Sequence, residues 1–209
     1  MLELNGLKIE WLGHASVRIT GNKVIYIDPF QLQGAQPGAD LILITHGHYD
    51  HCSIADINKI LKQDTVIFAT PDCTSKLAKL EKNNLKLVEP NKSYSLGNVK
   101  LETVCAYNPT KQFHPKLNDW VGYIVTANGT RIYHAGDTDL IPEMQQIKAD
   151  VALLPVGGTY TMDAQEAAQA ANTIKPKIAV PIHWGSIVGD KATAEKFKKL
   201  SKVEVRILG

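Results

Sequence analysis

Apolar residues fall in short runs along the first 45 positions. Leu7 to Leu12, Ser16 to Thr20 and Val24 to Asp28 either alternate apolar with polar or are β-branched, the pattern of half-buried strands. Gly13 and the pair Gly21-Asn22 separate these runs as turns, and Pro29 ends the third. Leu41 to Thr45 is different: consecutive apolar positions predict a strand covered on both faces. Ser53 then caps a predicted helix whose apolar residues Ile54, Ile57, Ile60 and Leu61 recur at helical spacing. Val66 to Ala69 reads as a strand, and Thr70-Pro71 opens a helix carrying Leu77 and Leu80.

The second half repeats the strand–helix alternation. Leu85 to Val88 and Val99 to Val104 are predicted strands, with Asn91 and Asn98 in turns. Residues 106–119 have two prolines and no periodicity, so they read as a loop. Val121 to Val125 and Arg131 to His134 form a predicted hairpin around Asn128-Gly129, a strong turn signal. Val151 to Leu154 is a buried strand. Asp163 with Glu166 is a capping box opening an alanine-rich helix to Ile174. Ile178 to Ile182, a helix over Ala194 to Leu200 and a closing strand over Val203 to Leu208 complete the pattern. No linker or repeat divides the chain, so the expectation is one α/β domain over residues 1–209, with two sheets covered by helices.

Composition narrows the function classes. The 209 residues are 44% hydrophobic, too apolar for a disordered chain. Lys+Arg is 23 against Asp+Glu 21, a net charge of +2 that gives no electrostatic reason to expect nucleic acid as a partner. The basic run Lys196, Lys198, Lys199 and Lys202 reads as a solvated helix face. No apolar run approaches the ~20 residues of a membrane span. Three cysteines in no framework spacing and an N-terminus without a signal-peptide pattern make the cytoplasm the expected location.

The chemistry concentrates where strands end. His46-Gly47-His48-Tyr49-Asp50-His51 follows the 41–45 strand and offers four candidate metal ligands in six residues. Imidazole and carboxylate suit zinc, iron or manganese. Asp137 follows the strand that ends near His134, where Gly136 lets the backbone come close, and its carboxylate could bridge two ions or merely cap a turn. His183 follows Val180-Pro181-Ile182. Cys52 reads as a small buried thiol and His134 as a core-facing histidine. No GxSxG elbow, Walker A loop, GxGxxG or HExxH is present.

These motifs, with Trp11-Leu12-Gly13-His14, Ile27-Asp28-Pro29, residues 133–138, residues 154–162 and Pro181-Ile182-His183-Trp184-Gly185, resemble the metallo-β-lactamase superfamily over essentially the whole chain. The likeness is to its small prokaryotic metal-dependent hydrolases, akin to ascorbate-6-phosphate lactonases and N-acylphosphatidylethanolamine phospholipase D. The resemblance implies a four-layer αββα sandwich with the site at one edge. It implies two divalent ions, zinc foremost, with manganese or iron as the other choices. His46, His48 and a third histidine would hold one ion, Asp50, His51 and His183 the other, and Asp137 would bridge them. The superfamily usually places the third histidine in the loop before the Gly-Asp motif. Here that loop holds His114 and Asn108. Imidazole is the better ligand, which favours His114 and leaves Asn108 a supporting role. Asp28 has a family counterpart that steadies the metal loop, and His14 would approach the mouth of the site.

The implied activity is hydrolysis of a small-molecule ester, lactone, amide or phosphodiester by a metal-bound hydroxide, with Asp50 orienting the water and His14 or His114 assisting the leaving group. A nuclease acting on nucleic acid, a redox di-iron protein and a non-catalytic metal-binding module are the rivals. His48 and the lack of a flavin-binding domain speak against the redox reading. The sequence does not set the oligomeric state.

Overall fold

The computed structural model describes residues 1–80 and 84–209. The first sheet runs through β1 (Leu2–Leu4), β2 (Leu7–Gly13), β3 (Ser16–Thr20), β4 (Val24–Ile27), β5 (Leu41–Ile44), β6 (Val66–Ala69) and β7 (Leu85–Leu87) in that spatial order. The second holds β8 (Ser93–Leu96), β9 (Val99–Cys105), β10 (Val121–Ala127), β11 (Thr130–His134), β12 (Val151–Pro155), β13 (Ile178–Ile182) and β14 (Glu204–Val205), again neighbour to neighbour. In each sheet the first four strands pair antiparallel and the last four parallel. The two halves thus share a topology that no sequence repeat announces.

Helices cover the outer faces: α1 (Ile54–Ile60) and α2 (Thr74–Leu77) on the first sheet, α3 (Ala164–Ile174) and α4 (Lys191–Leu200) on the second. This is the four-layer αββα sandwich. The unbroken apolar run of β5 follows from it. Leu41 and Leu43 face the second sheet, whereas Ile42 and Ile44 face α1 and α2. β12 splits likewise, Val151 and Leu153 inward, Ala152 and Leu154 beneath α3. In β2 the alternation is polar–apolar because one face meets water: Leu7 and Ile9 are buried, and Lys8 is exposed. The Asp163 capping box is formed on both sides, a device worth about 1 kcal/mol.

Several predicted elements change. The helix from Thr70-Pro71 is a 3₁₀ turn, Pro71–Cys73, leading into a single turn of α2 that stops at Leu77, before Leu80. The helix expected from Ala194 begins at Lys191, capped by Asp190. The closing strand contracts to Glu204–Val205, which pairs only with Ile178 and Ala179. The 106–119 loop contains a 3₁₀ turn, Lys116–Asn118. β1 and β8 are additions at the sheet edges. Among the described residues no helix is long and apolar enough to cross a membrane.

Candidate metal centre

The sandwich brings to one edge the segments that leave β4, β5, β9, β11 and β13 at their C-terminal ends, together with the β2–β3 turn. An open α/β sheet gathers its ligand-binding loops at such strand ends. From the first sheet come His14, Asp28 and the segment His46 to His51. From the second come Asn108, His114, Asp137 and His183. Gly136 makes the approach of Asp137 possible: at φ +66°, a Cβ there would lie 2.9 Å from the Val121 carbonyl oxygen.

Three groups of ligand atoms converge, each within 4.8 Å of one another: His46, His48 and His114; His14, Asp50, His51 and His183; and His46, His51 and Asp137. Asp137 touches both halves of the cluster. Its Oδ2 lies 3.2 Å from His114 Nε2 and 3.0 Å from His183 Nε2, and its Oδ1 lies 3.3 Å from His51 Nε2. The geometry therefore gathers every candidate ligand named from the sequence.

The supporting contacts fix ring orientation. Asp28, fully buried, accepts hydrogen bonds from Thr45 N (2.8 Å) and Thr45 Oγ1 (2.7 Å), and its Oδ2 lies 2.7 Å from His51 Nδ1. That contact leaves His51 Nε2 turned toward Asp137. Asn108 does the same for His114. Its Oδ1 accepts from His114 N (3.0 Å) and sits 2.8 Å from His114 Nδ1, while its Nδ2 donates to the Tyr160 carbonyl (3.0 Å). Both atoms of the Asn108 amide are thus engaged, and His114 Nε2 is the atom that faces Asp137. Lys111 anchors the same loop through Asp139 (2.6 Å) and the Thr161 carbonyl (2.7 Å). His14 lies beneath the site, outside the wall of the cavity. Its Nε2 is 3.0 Å from Asp50 Oδ2 and its ring is 4.0 Å from that of His183. The His14 carbonyl accepts from both Trp11 Nε1 and His183 N, 2.7 Å each. His134 bonds the Ala15 carbonyl in the core, and Cys52 is buried.

Two positioning residues escaped the sequence reading. Asp72 Oδ2 accepts from Gly47 N (2.8 Å) and from Trp120 Nε1 (2.9 Å), so it ties the His46–His48 turn to the indole. The Trp120 ring packs 4.7 Å from His46 and 4.8 Å from His48. Only contacts 25 and 48 residues apart reveal Asp72's role.

Electrostatics favour a cation here. Burial drives the His46 imidazole well below its ordinary range, and His51 beside it adds to the effect, so it stays neutral and able to ligate. Burial lowers His48 as well. Burial opposes ionisation of Asp137, yet His183 and His51 outweigh it and hold the carboxyl well below the usual range. Asp50 is likewise held low, against burial, by its bonds to His14 and His51. His51 is held high: burial opposes its charge, and Asp137 and Asp28 prevail. Buried atoms without a hydrogen-bond partner include His51 Nε2, His114 Nε2, His183 Nε2 and Asp137 Oδ1. A buried unpaired polar atom costs about 1–3 kcal/mol. Three imidazole nitrogens facing one carboxylate, none of these four atoms with a hydrogen-bond partner, fit a divalent metal.

A cavity of about 260 Å³ opens over the cluster, with His48, Asp50, His114, Asp137 and His183 at its base.

Residues 8–183 match the model of the β-lactamase superfamily domain. A UPF0173 metal-dependent hydrolase of Thermococcus onnurineus is 37% identical over 97% of this chain and 96% of its own. One from Thermoplasma acidophilum is 33% identical over 95% and 92%. A crystal structure assigned to the metal-dependent hydrolases, from Parabacteroides distasonis, superposes with a TM-score of 0.86 at 38% identity, covering 96% of this chain and 92% of that one. A metallo hydrolase from Ignicoccus hospitalis shares the fold, with a TM-score of 0.77 at 23% identity over 97% and 94% of the two chains.

Proposed function

This chain belongs to the metallo-β-lactamase superfamily and to its metal-dependent hydrolases, and from that premise we propose that it works with two divalent ions on a small-molecule ester, lactone, amide or phosphodiester. The observation that carries the reading is the set of unpaired buried donors converging from both sheets. His46, His48 and His114 would hold one ion. Asp50, His51 and His183 would hold the other, and Asp137 would serve both. The all-nitrogen and carboxylate set suits zinc first, and manganese or iron after it.

Ions held there would supply Lewis acidity, enough to make a water ionise near neutral pH and to polarise the scissile group. The protein's own part is positional. Asp28 and Asn108 orient His51 and His114. Asp50, ionised, bonded to His14 and lining the base of the cavity, would orient the attacking water. His14 steadies Asp50 from below, outside the cavity wall.

Nucleic acid is not the expected partner. Phosphate backbones are bound through lysine and arginine, and among the described residues none lines this cavity. Three free cysteines fit a reducing compartment, the cytoplasm. Metal analysis of the purified protein tests the proposal. Up to two divalent ions per chain are expected, with hydrolysis across a panel of lactones, amides and phosphodiesters abolished by chelation. Less than half an ion per chain, with no uptake on reconstitution, overturns it.

A further inference from the structure

The cavity's walls differ from its base. Tyr49, Phe113, Tyr160 and Ile187 stand above the histidines and carboxylates. Tyr49 is 64% exposed, and Phe113 and Ile187 are each 37% exposed. Large apolar side chains left in water are few among the described residues, and three of the seven ring this one opening. Such a cluster beside polar groups marks a ligand surface. The rings also brace one another. Phe113 meets Tyr160 edge-on at 4.8 Å, and Tyr49 meets Phe30 edge-on at 6.0 Å. The wall is therefore formed before any ligand arrives.

Positive charge is missing from this wall. The lysines flanking Phe113 are engaged elsewhere: Lys111 with Asp139, and Lys116 with Glu143 at 3.0 Å. The charged side chains that do line the cavity are the two carboxylates, Asp50 and Asp137. A charged substituent lying against this wall would lose water and gain no counter-ion, a costly exchange. An apolar one gains in proportion to the area it buries. Size sets a second limit. A cavity of roughly 150 Å³ takes one benzene ring, so about 260 Å³ holds one ring together with the scissile group.

Resting on the hydrolase reading above, we infer that the substrate carries an uncharged apolar group, about one ring in size, beside the bond that breaks. That group seats on Tyr49, Phe113, Tyr160 and Ile187. A charged substituent, such as a phosphate monoester, is what this wall rejects.

Hydroxamates separate the wall from the metals, because the hydroxamate end anchors on the ions in every case. Acetohydroxamate, phenylacetohydroxamate and 4-sulfophenylacetohydroxamate are titrated calorimetrically into the metal-loaded protein. Phenylacetohydroxamate should bind at least about 30-fold tighter than either of the others, the gain expected from burying one ring. Phe113→Ala should weaken phenylacetohydroxamate by about tenfold and leave acetohydroxamate unchanged, since only the ring loses area. Ile187→Lys should cut the discrimination against the sulfonate to under about fivefold by supplying the missing counter-ion, at unchanged metal content. Equal affinity for acetohydroxamate and phenylacetohydroxamate, or a preference for the sulfonate, overturns the inference while the hydrolase reading stands. A protein that takes up no metal, as metal analysis would reveal, sinks that reading and the inference with it.

Discussion

Replacing Asn108 by alanine separates a ligand from the residue that orients it. Asn108 is 5% exposed and His114 1%. The substitution strands two donors, His114 N and His114 Nδ1, and one acceptor, the Tyr160 carbonyl. At about 1–3 kcal/mol for each buried unpaired group, the ceiling is near 9 kcal/mol. His114 borders the open cavity, so entering water repairs part of the loss, and about 2–4 kcal/mol of stability should go. For metal affinity, losing the partner that fixes a ligand's ring costs about 10–100-fold. His114→Ala removes the nitrogen itself and should cost more than about 100-fold on the same scale. Asn108→Asp keeps an acceptor for both donors but turns an oxygen on the Tyr160 carbonyl, so it should cost less metal affinity than Asn108→Ala without matching wild type. Competition against a chromophoric chelator reads each affinity, and thermal unfolding of the metal-free protein reads stability. If Asn108→Ala lowers affinity for the first ion and His114→Ala does not, Asn108 is the ligand. His114 would then serve the substrate or a proton.

Asp137→Asn should keep the fold and lose two-metal binding, since a neutral amide cannot balance two ions; unchanged stoichiometry and turnover would reduce Asp137 to a turn residue. Asp28→Asn is isosteric, and asparagine tolerates the φ of +48° found there. It places an NH₂ against Thr45 or His51 donors, so metal affinity should fall about 10–100-fold by the same chelator assay. Gly47→Ala would set a Cβ 2.5 Å from Asp72 Oδ2; the displaced turn should weaken the ion at His46 and His48 and raise Trp120 fluorescence mobility, and wild-type behaviour would show that Asp72 does not fix the turn. Acid should destabilise the metal-free protein in two stages. His46, held low, refuses a proton that the unfolded chain takes below about pH 6.5. Asp50 and Asp137, also held low, contribute stability above about pH 3.9 that is lost as pH falls toward their folded values. His51 works in the opposite sense, stabilising below about pH 6.5 and losing that contribution as pH rises through its raised folded value. A melting temperature that climbs as pH drops through 4 would contradict the carboxylate assignments.

What the sequence discloses is whatever is written in adjacent positions. β5 announces its double burial in Leu41 to Ile44, the Asn128-Gly129 turn fixes the β10–β11 hairpin, and Asp163 with Glu166 marks the start of α3. The candidate ligands at 46, 48, 50 and 51 are legible for the same reason. β1 spans three residues, too few for a period to show. β8 reads Ser-Tyr-Ser-Leu, polar on the face an edge strand leaves in water. The 106–119 segment is irregular as its prolines predict, yet it is pinned by Lys111 to Asp139 and by Asn108 to His114. Such pinning depends on partners across space, as does the grip of Asp72 on Gly47 and Trp120.

The backbone around the site carries a further regularity. Among the described residues nine non-glycine positions have left-handed φ, and three belong to the cluster: His14 at +50°, Asp28 at +48° and His183 at +58°. Asparagine and aspartate accept this region with little penalty, but for a histidine it costs roughly 1–2 kcal/mol. Both histidines sit where the chain leaves a strand and must turn back on itself to face the cluster. Each is held by the other, through His183 N donating to the His14 carbonyl and the rings in contact. That bond joins the first sheet to the second. The same division runs through the whole candidate ligand set: His46, His48, Asp50 and His51 come from the first half, His114, Asp137 and His183 from the second. Neither sheet can assemble the centre alone, so any ion bound there links the two, and part of its binding energy becomes energy of sheet docking.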